Sequence, residues 1–445
     1  MSCLICALVV LGFPGQAEIR TKGAFRSDDA GWIYLHLQGS PRDVGFQYGS
    51  LAAKEIDDAH RALLLSFKQP PYDWAWCRKA ARDVFWPKLD KEYQEEIAGQ
   101  AEGLKAKGYA YDEWDVLAYN AYIEIQGYYI PYLQSRKPGG VREGTTRTSC
   151  SAFIATGKTT KDGKIVMGHN LWWDYLMGQR ANVLLDITPE KGNRVLMDAF
   201  CGFIHSGSDF AVNSTGILLC ETTISGFSGF DPNGIPEFMR MRKAIQYSNS
   251  LDDVDRIFVK GNNGGYANTW LIGDTKTNEI GKLELGLKVV DFQRKNSGYF
   301  VGSNFPESSK LIAEEIPGGW DANPMTNGCE RRRVRWNTLL TRNKGQVDAQ
   351  MAKKFLADTY DEVLDRDGAS DSTLCGVSGL SGAVNTKVVD STMANSMRIW
   401  ARMGISNGST FEAKTFLAGN PAYAAIRPFL RDIPSRPWTV FPAAK

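Results

Sequence analysis

The feature that most constrains this chain is an abrupt change of pattern at residues 134–148, QSRKPGGVREGTTRT. Before it the apolar residues recur at helical spacing; after it come short apolar runs bounded by turn residues. The segment itself is polar and carries Pro138, Gly139, Gly140 and Gly144, the composition of an exposed connection. It runs into SCSAFIATG, where Cys150 opens an apolar stretch. Such a chain is expected to pack a helical leader against a strand-rich body, in layers of both kinds.

Within the leader, Ser40 is a capping residue, Pro41 suits a first helical turn, and Asp43 stands where a capping box wants an acid. With Val44, Tyr48, Leu51 and Ile56 near helical spacing, this predicts a helix over residues 40–68. Residues 73–125 also read as helical, so the first third is expected to be mostly α. In the body, CSAFIATG and KIVMGHNLW flank TTKDGK, and Asp162-Gly163 is a strong hairpin signal. Further strands are expected at NVLLDITP, RVLMDAF, FAVNSTGILLCETT, TWLIGDTKTNEIGKLELG and LKVVDFQRK, with helices at about 236–260 and 330–365.

Charge and composition narrow the function classes. A net charge of +2 over 445 residues, with no zinc-finger spacing and no basic stripe, gives no basis for a nucleic-acid partner. Residues 3–12 are apolar and GQA precedes Glu18, which predicts a secretory signal over residues 1–17, although a basic start is missing. That places the chain in a secreted, periplasmic or lumenal setting. The run is short for a membrane span, and no other stretch reaches the roughly 20 apolar residues needed. Outside the signal lie Cys77, Cys150, Cys201, Cys220, Cys329 and Cys375, spaced neither as a small disulfide scaffold nor as a zinc site. Cys329 with Cys375 is the one candidate bridge; Cys201 and Cys220 sit in apolar runs and read as buried thiols. No metal and no cofactor are expected.

The four histidines, His36, His60, His169 and His205, leave few bases for a conventional hydrolase. GxSxG and HExxH are absent, and ATGKTT fails as a phosphate loop because Ala152 stands where its first glycine belongs. Cys150 offers another route. If the loop before it is cut, its α-amine, with an unperturbed pKa near 8, becomes a general base for its own thiol. From the residues alone, a buried structural cysteine remains the competing reading.

Several motifs occur in order along the chain. They are GSPRDVGFQYGSLAAKEI, EEIAGQAEGLKAKGYAYDEWDVLAYNAYIE, SCSAFIA, GHNLWWDY, GGYANTWLIGD and CERRRVRWNTLL. From about residue 38 onward they resemble the acyl-coenzyme A:6-aminopenicillanic acid acyltransferase family and are similar to the phospholipase B-like proteins, both N-terminal-nucleophile hydrolases. Ser149 departs from the glycine common before the acyltransferase nucleophile, and Asp174 aligns with their motif only across a two-residue insertion.

The resemblance implies an α+β fold, a four-layer αββα sandwich preceded by a helical propeptide. Residues 18–149 would form the small subunit and residues 150–445 the hydrolase domain, with self-cleavage between Ser149 and Cys150. It implies Cys150 as nucleophile, Asn268 as oxyanion donor and Asp174 as the group orienting the new ammonium. His169, Asn170, Trp172, Thr222 and Arg332 are expected to line the substrate site, with Trp173 beside Trp172 as an apolar wall. The implied activity is hydrolysis of a linear non-peptide amide, or transfer of its acyl group. The alternatives are a lipid ester or N-acyl-lipid hydrolase, and a non-catalytic binding protein on the same fold. The expected partners are a small acyl amide or lipid substrate and the cleaved propeptide.

Overall fold

The computed structural model describes residues 20–68, 70–141, 144, 150–207 and 210–443. The expected signal at residues 1–17 and Ser149 at the cleavage site lie outside the described residues.

The leader opens with strands, where the sequence reading expected mostly helix. β1 (Phe25–Asp29) and β2 (Trp32–Gly39) form a hairpin across Ala30 and Gly31, whose φ values of 47° and 83° suit a tight two-residue turn. β1 is polar and largely exposed, whereas Trp32, Leu35 and Leu37 of β2 are fully buried. Trp32 through Leu35 are buried without a break, so both faces of β2 are covered over its first half.

Helices follow. In α1 (Pro41–Leu51) the Ser40 side chain accepts from the Asp43 amide, as the capping residues predict. The expected single helix breaks at Ala52, whose φ/ψ of −121°/21° is not helical, and resumes as α2 (Ala53–Leu63). α1 packs against α3 (Lys91–Ala106) through glycines on both helices. A Cβ on Gly45 would lie 1.9 Å from Glu96 O, and one on Gly103 would lie 2.3 Å from Phe46 O. The backbones touch, and no side chain fits between them. After α4 (Glu113–Asn120), capped by Asp112 and Asp115, helical turns continue to Ser135.

The body starts with β3 (Ser151–Thr156) and β4 (Val166–Asp174), antiparallel with Ser151 opposite Asn170. Gly163, at φ +75°, lies in the connection that the Asp-Gly pair predicted. Next come β5 (Val183–Pro189), β6 (Val195–Ala199), β7 (Phe210–Asn213) and β8 (Ile217–Thr223). Two helices intervene, α5 (Glu237–Tyr247) and α6 (Leu251–Val259). β9 (Asn268–Asp274), β10 (Glu279–Leu285), β11 (Val290–Lys295) and β12 (Gly298–Gly302) follow. The helix expected over 330–365 is two helices, α7 (Gly328–Arg342) and α8 (Ala349–Leu356). Short strands β13 (Tyr360–Asp361), β14 (Arg366–Asp367) and β15 (Val377–Ser378) precede β16 (Ser381–Asp390), β17 (Ile399–Met403) and β18 (Thr439–Phe441).

Among the described residues these strands build two large sheets. One runs β1-β2-β5-β6-β7-β8-β9-β10-β11; the other runs β12-β3-β4-β16-β17-β18, with β15 on β16. The leader joins the first sheet through a parallel seam, Ile33 opposite Val183 through to Gly39 opposite Pro189. β3 and β12 face β8, β9 and β10, so the sheets pack on each other. α5 and α6 pack on the first sheet, and α7 and α8 on the second. The fold is thus mixed α+β, with helices against both sheets.

Leader and body share one core. Tyr48 Oη accepts from Gly202 N at 2.6 Å, Asn120 Oδ1 accepts from Ile204 N at 2.8 Å, and the Tyr119 and Phe203 rings lie 5.1 Å apart. Buried Glu124 accepts from Asn263 Nδ2 at 2.6 Å and from Phe238 N, in the first turn of α5, at 3.2 Å. Burial raises its carboxyl to about 7, against the pull of Asn263 and the Arg240 charge. No helix among the described residues is long and apolar enough to cross a membrane.

Candidate active site

Cys150 immediately precedes β3, is fully buried, and has φ +81°. A non-glycine residue held there stores on the order of 1–3 kcal/mol of strain, so its surroundings must hold it. They do so through Arg332, one turn into α7, which is fully buried. Arg332 Nη1 donates to Cys150 O at 2.6 Å and to Ser151 Oγ at 3.3 Å. Its Nη2 donates to Asn304 Oδ1 at 3.1 Å and to Cys329 Sγ at 3.4 Å. The guanidinium also lies 4.9 Å over the Trp172 ring. These hydrogen-bond partners are a carbonyl, a hydroxyl, an amide and a thiol, none of them acidic.

Sequence reasoning missed Asn304. Its Nδ2 donates to Thr223 O at 2.9 Å, so it links Arg332 to β8, and its φ of +69° places it in the left-handed region. The only sequence signal is an asparagine in a polar turn, a residue that tolerates this conformation.

Alternation sorts the remaining candidates by face. Cys220 and Thr222 point from β8 toward the second sheet. Thr222 Oγ1 is buried without a partner and lies against β12, where a Cβ on Gly302 would sit 2.4 Å from it. Gly302 pairs with Ala152, two residues beyond Cys150. Burial pushes the Cys220 thiol well up, with the charges of Glu221, Lys387 and Cys150 acting on it as well. His169 pairs with Ala152 on one side and Lys387 on the other, and its ring is 6.3 Å from Phe210. Neither ring nitrogen has a partner; the Glu221 backbone acts on the ring without reaching hydrogen-bond geometry. Burial first, then the Lys387 charge, holds its pKa far below the ordinary range, so the ring is neutral.

Lys387 itself ties the two sheets together. Its Nζ lies 2.7 Å from Asp198 Oδ2 on β6, and both side chains are buried. Ser206 Oγ donates to Asp198 Oδ1 at 2.8 Å. Nothing local in the sequence marks this pair, whose members lie on different sheets.

Other expected site residues have other engagements. Asn170 points away from the inter-sheet space and is fully bonded. Its Nδ2 donates to Leu356 O at 2.7 Å and Leu374 O at 2.9 Å, and its Oδ1 accepts from Thr386 at 2.6 Å. It pins β4 to its neighbours. Asp174 caps the short turn that follows β4, accepting from Met177 N at 2.8 Å. The ladder puts it about three residues past the level of Cys150, roughly 10 Å of strand.

Asn268 lies opposite Thr223, on the helix-facing side of the first sheet with Glu221. In the orientation that satisfies both ends of its amide, the nitrogen donates to Glu221 Oε2 at 2.7 Å and Ala267 O at 3.0 Å. Trp172 stacks under Arg332, and Trp173 packs 5.0 Å from Phe200. The Cys329–Cys375 bridge is not formed. All six described cysteines are free and buried, with Cys329 facing Arg332.

The chain matches the Phospholipase B family model over residues 53–334, more than half its length, and belongs to that family. It is 25% identical over 295 residues to an uncharacterized protein of Archaeoglobus fulgidus, covering 63% of this chain and 47% of that one. It is 28% identical over 169 residues to putative phospholipase B-like 2 of Bos taurus, covering 34% and 28%. The chain thus spans about half or less of the length of these relatives. A solved structure of a mutant conjugated bile acid hydrolase from Clostridium perfringens is similar at TM-score 0.34 and 13% identity, over 57% of this chain and 89% of that one.

Proposed function

We propose that the chain is a self-processing N-terminal-nucleophile hydrolase, its layers an αββα sandwich, with Cys150 as nucleophile. The observation that carries this reading is Cys150 itself, fully buried at the head of β3 with φ +81° and its carbonyl held by Arg332. In the uncut chain the thiol is closed off from any substrate except the peptide bond before it. The thiol adds to the Ser149 carbonyl, and the Cys150 nitrogen leaves with a proton to give a thioester. Water then cleaves the thioester, leaving a Ser149 carboxylate and a free Cys150 amine and thiol. Relief of the strained φ favours the shift.

The mature enzyme repeats this chemistry on an external acyl donor. The α-amine takes the thiol proton, the thiolate attacks the acyl carbon, and the proton passes to the leaving amine; water then releases the acid. Thr222, a buried hydroxyl without a partner, is suited to donate to the developing oxyanion. Asn268 serves there only by leaving Glu221 and the helix-facing side of its sheet, and Asp174 orients the new ammonium only by crossing to the other face of β4. The neutral His169 ring shapes the same space.

The preferred substrate class is a linear non-peptide amide, by hydrolysis or acyl transfer. The family's name favours a second reading, a lipid ester. Assaying processed protein on an amide and an ester of the same acyl group separates the two. Location follows the proposed signal at residues 1–17, and residues 18–149 stay as the small subunit. Intact mass and N-terminal sequencing test the whole reading. Two fragments are expected, the larger beginning at Cys150. An uncut chain with full turnover defeats it, and an uncut chain with no turnover returns the binding-protein reading.

A further inference from the structure

Two threonines oppose each other on the first sheet. Thr222 on β8 and Thr269 on β9 are direct partners in the antiparallel ladder, so their side chains share a face. That face is turned to the second sheet, because Thr222 Oγ1 lies against Gly302 of β12. Both threonines are buried, and neither hydroxyl has a hydrogen-bond partner among the described residues. Opposed threonines often bond to each other; these two do not. On the same row, Glu284 of β10 stands opposite Thr269, but its carboxylate accepts from Glu307 N at 2.7 Å and Ser308 N at 2.6 Å. Thr223 supplies the contrast. It points to the helices, and its hydroxyl donates to Tyr266 Oη at 2.8 Å. Of the three hydroxyls in the β8–β9 ladder, the two turned to the second sheet are the two left unbonded.

Burying a hydroxyl without a partner costs stability, so a buried pair of them calls for a reason. Their place supplies one. Gly302, against Thr222, pairs with Ala152, two residues beyond Cys150. The Cys150 charge also acts on Cys220, which lies two residues before Thr222 on the same face. The pair therefore sits at the end of the inter-sheet space that holds the thiol. Directly opposed residues have Cβ atoms roughly 4.5–5.5 Å apart. A single oxygen atom between the two hydroxyls can then accept from both at about 2.8 Å, an ordinary length.

We infer that Thr269 is a second catalytic hydroxyl, which donates together with Thr222 to the oxyanion formed on the carbonyl that Cys150 attacks. The inference rests on the proposed function and adds a residue to its chemistry. When the thiolate adds to the acyl carbon, the carbonyl π pair moves to oxygen; the two hydroxyls donate to that oxygen and keep their protons. As the pair returns, the C–N bond breaks and the leaving nitrogen takes up the proton lost by the thiol. The same two donors serve self-cleavage and turnover. The ground-state carbonyl carries less charge than the oxyanion, so the pair acts on rate and not on binding.

The test uses Thr269→Val, Thr222→Val and Thr269→Ser in the full-length chain. Valine keeps the shape and removes an unbonded hydroxyl, so the melting temperature is expected to stay level or rise. Melts are compared in the Cys150→Ala background, where every chain is uncut. Self-cleavage needs no external substrate, and intact mass over a time course after cell-free synthesis reads its rate. Each valine variant is expected to slow cleavage by about a hundredfold, the usual loss for one oxyanion donor, and Thr269→Ser to recover most of it. On cut protein, N-decanoyl p-nitroanilide is expected to show the same loss in kcat with KM nearly unchanged. Cleavage of Thr269→Val at the parent rate overturns the inference. So does slow cleavage that tracks a lowered melt, which a packing role would give. A wild-type chain that never cuts defeats the proposed function and takes Thr269 with it, so the wild type tells the two failures apart.

Discussion

The two large sheets differ in where their strands come from. The sheet that carries Cys150 at the head of β3 is built, among the described residues, entirely from chain after residue 150. The nine-stranded sheet is a composite, because its first two strands belong to the leader and join through the parallel β2–β5 seam. A cut before Cys150 therefore severs no ladder in either described sheet. It frees one peptide end at the chemistry and leaves the leader bonded where it was. Under the proposed function, reactivity lies in one sheet and cohesion between leader and body in the other.

The sharpest way to break this contrast is Cys150→Ala. It is expected to remain a single chain with no turnover while its far-UV spectrum and melt stay close to the parent, since neither ladder depends on the thiol. Collapse of the fold would mean that Cys150 is structural.

Arg332→Ala removes the donor to Cys150 O and to Asn304 Oδ1 and leaves both buried. At about 1–3 kcal/mol for each unsatisfied group, processing is expected to slow by at least about thirtyfold. Arg332→Lys, with one cation but no fork, is expected to recover part of that rate. Equal rates in all three proteins would remove the clamp from the account.

On the composite sheet's side, Gly45→Ala puts a methyl group 1.9 Å from Glu96 O. Overpacking against backbone is expected to cost about 3 kcal/mol, read as a lower melting temperature and, after cleavage, as loss of the small fragment on gel filtration.

Glu124 gives the same joint a pH dependence. Its carboxyl is raised from 4.5 to about 7 by burial, so the native protein holds that proton more tightly than the unfolded chain does. The stabilisation is fully present below about pH 4.5 and is lost as pH rises through about 7, on the order of 2–3 kcal/mol in all. Melts taken from pH 5 to 7.5 should fall for the parent, with a flatter profile for Glu124→Gln.

The smallest effect is expected from Asn268→Ala, which leaves Glu221 short of a donor and costs about 1–2 kcal/mol of stability. A hundredfold loss of turnover with an unchanged melt would instead show the amide facing the reacting carbonyl.

What could be read from the sequence was local. The β3–β4 hairpin followed from Asp162-Gly163, and the start of α1 from Ser40, Pro41 and Asp43, because each signal sits within a few residues of the structure it sets. β1 and β2 went unread although Ala30-Gly31 and the apolar run opening WIYLHLQG were available; β1 is polar, and the strand that stabilises β2 lies about 150 residues away. At the site, Cys150 and Arg332 were marked by their motifs. Asn304 and the Lys387–Asp198 pair were not, because their meaning exists only once two distant strands face each other. Asn268 and Asp174 were named for chemistry, yet the faces of their strands give both a bonded role elsewhere.

The parallel β2–β5 seam also bears on time and concentration. Before the cut, leader and body find each other as parts of one molecule, a first-order event that does not depend on dilution. In the proposed mature form the same seam joins two separate chains, and rebuilding it from the unfolded state becomes a second-order reaction with no tether to raise the local concentration. The protein would then assemble once, easily, and recover poorly after denaturation. Its working lifetime would be set by how slowly the hairpin leaves the sheet and not by an equilibrium between folded and unfolded chains.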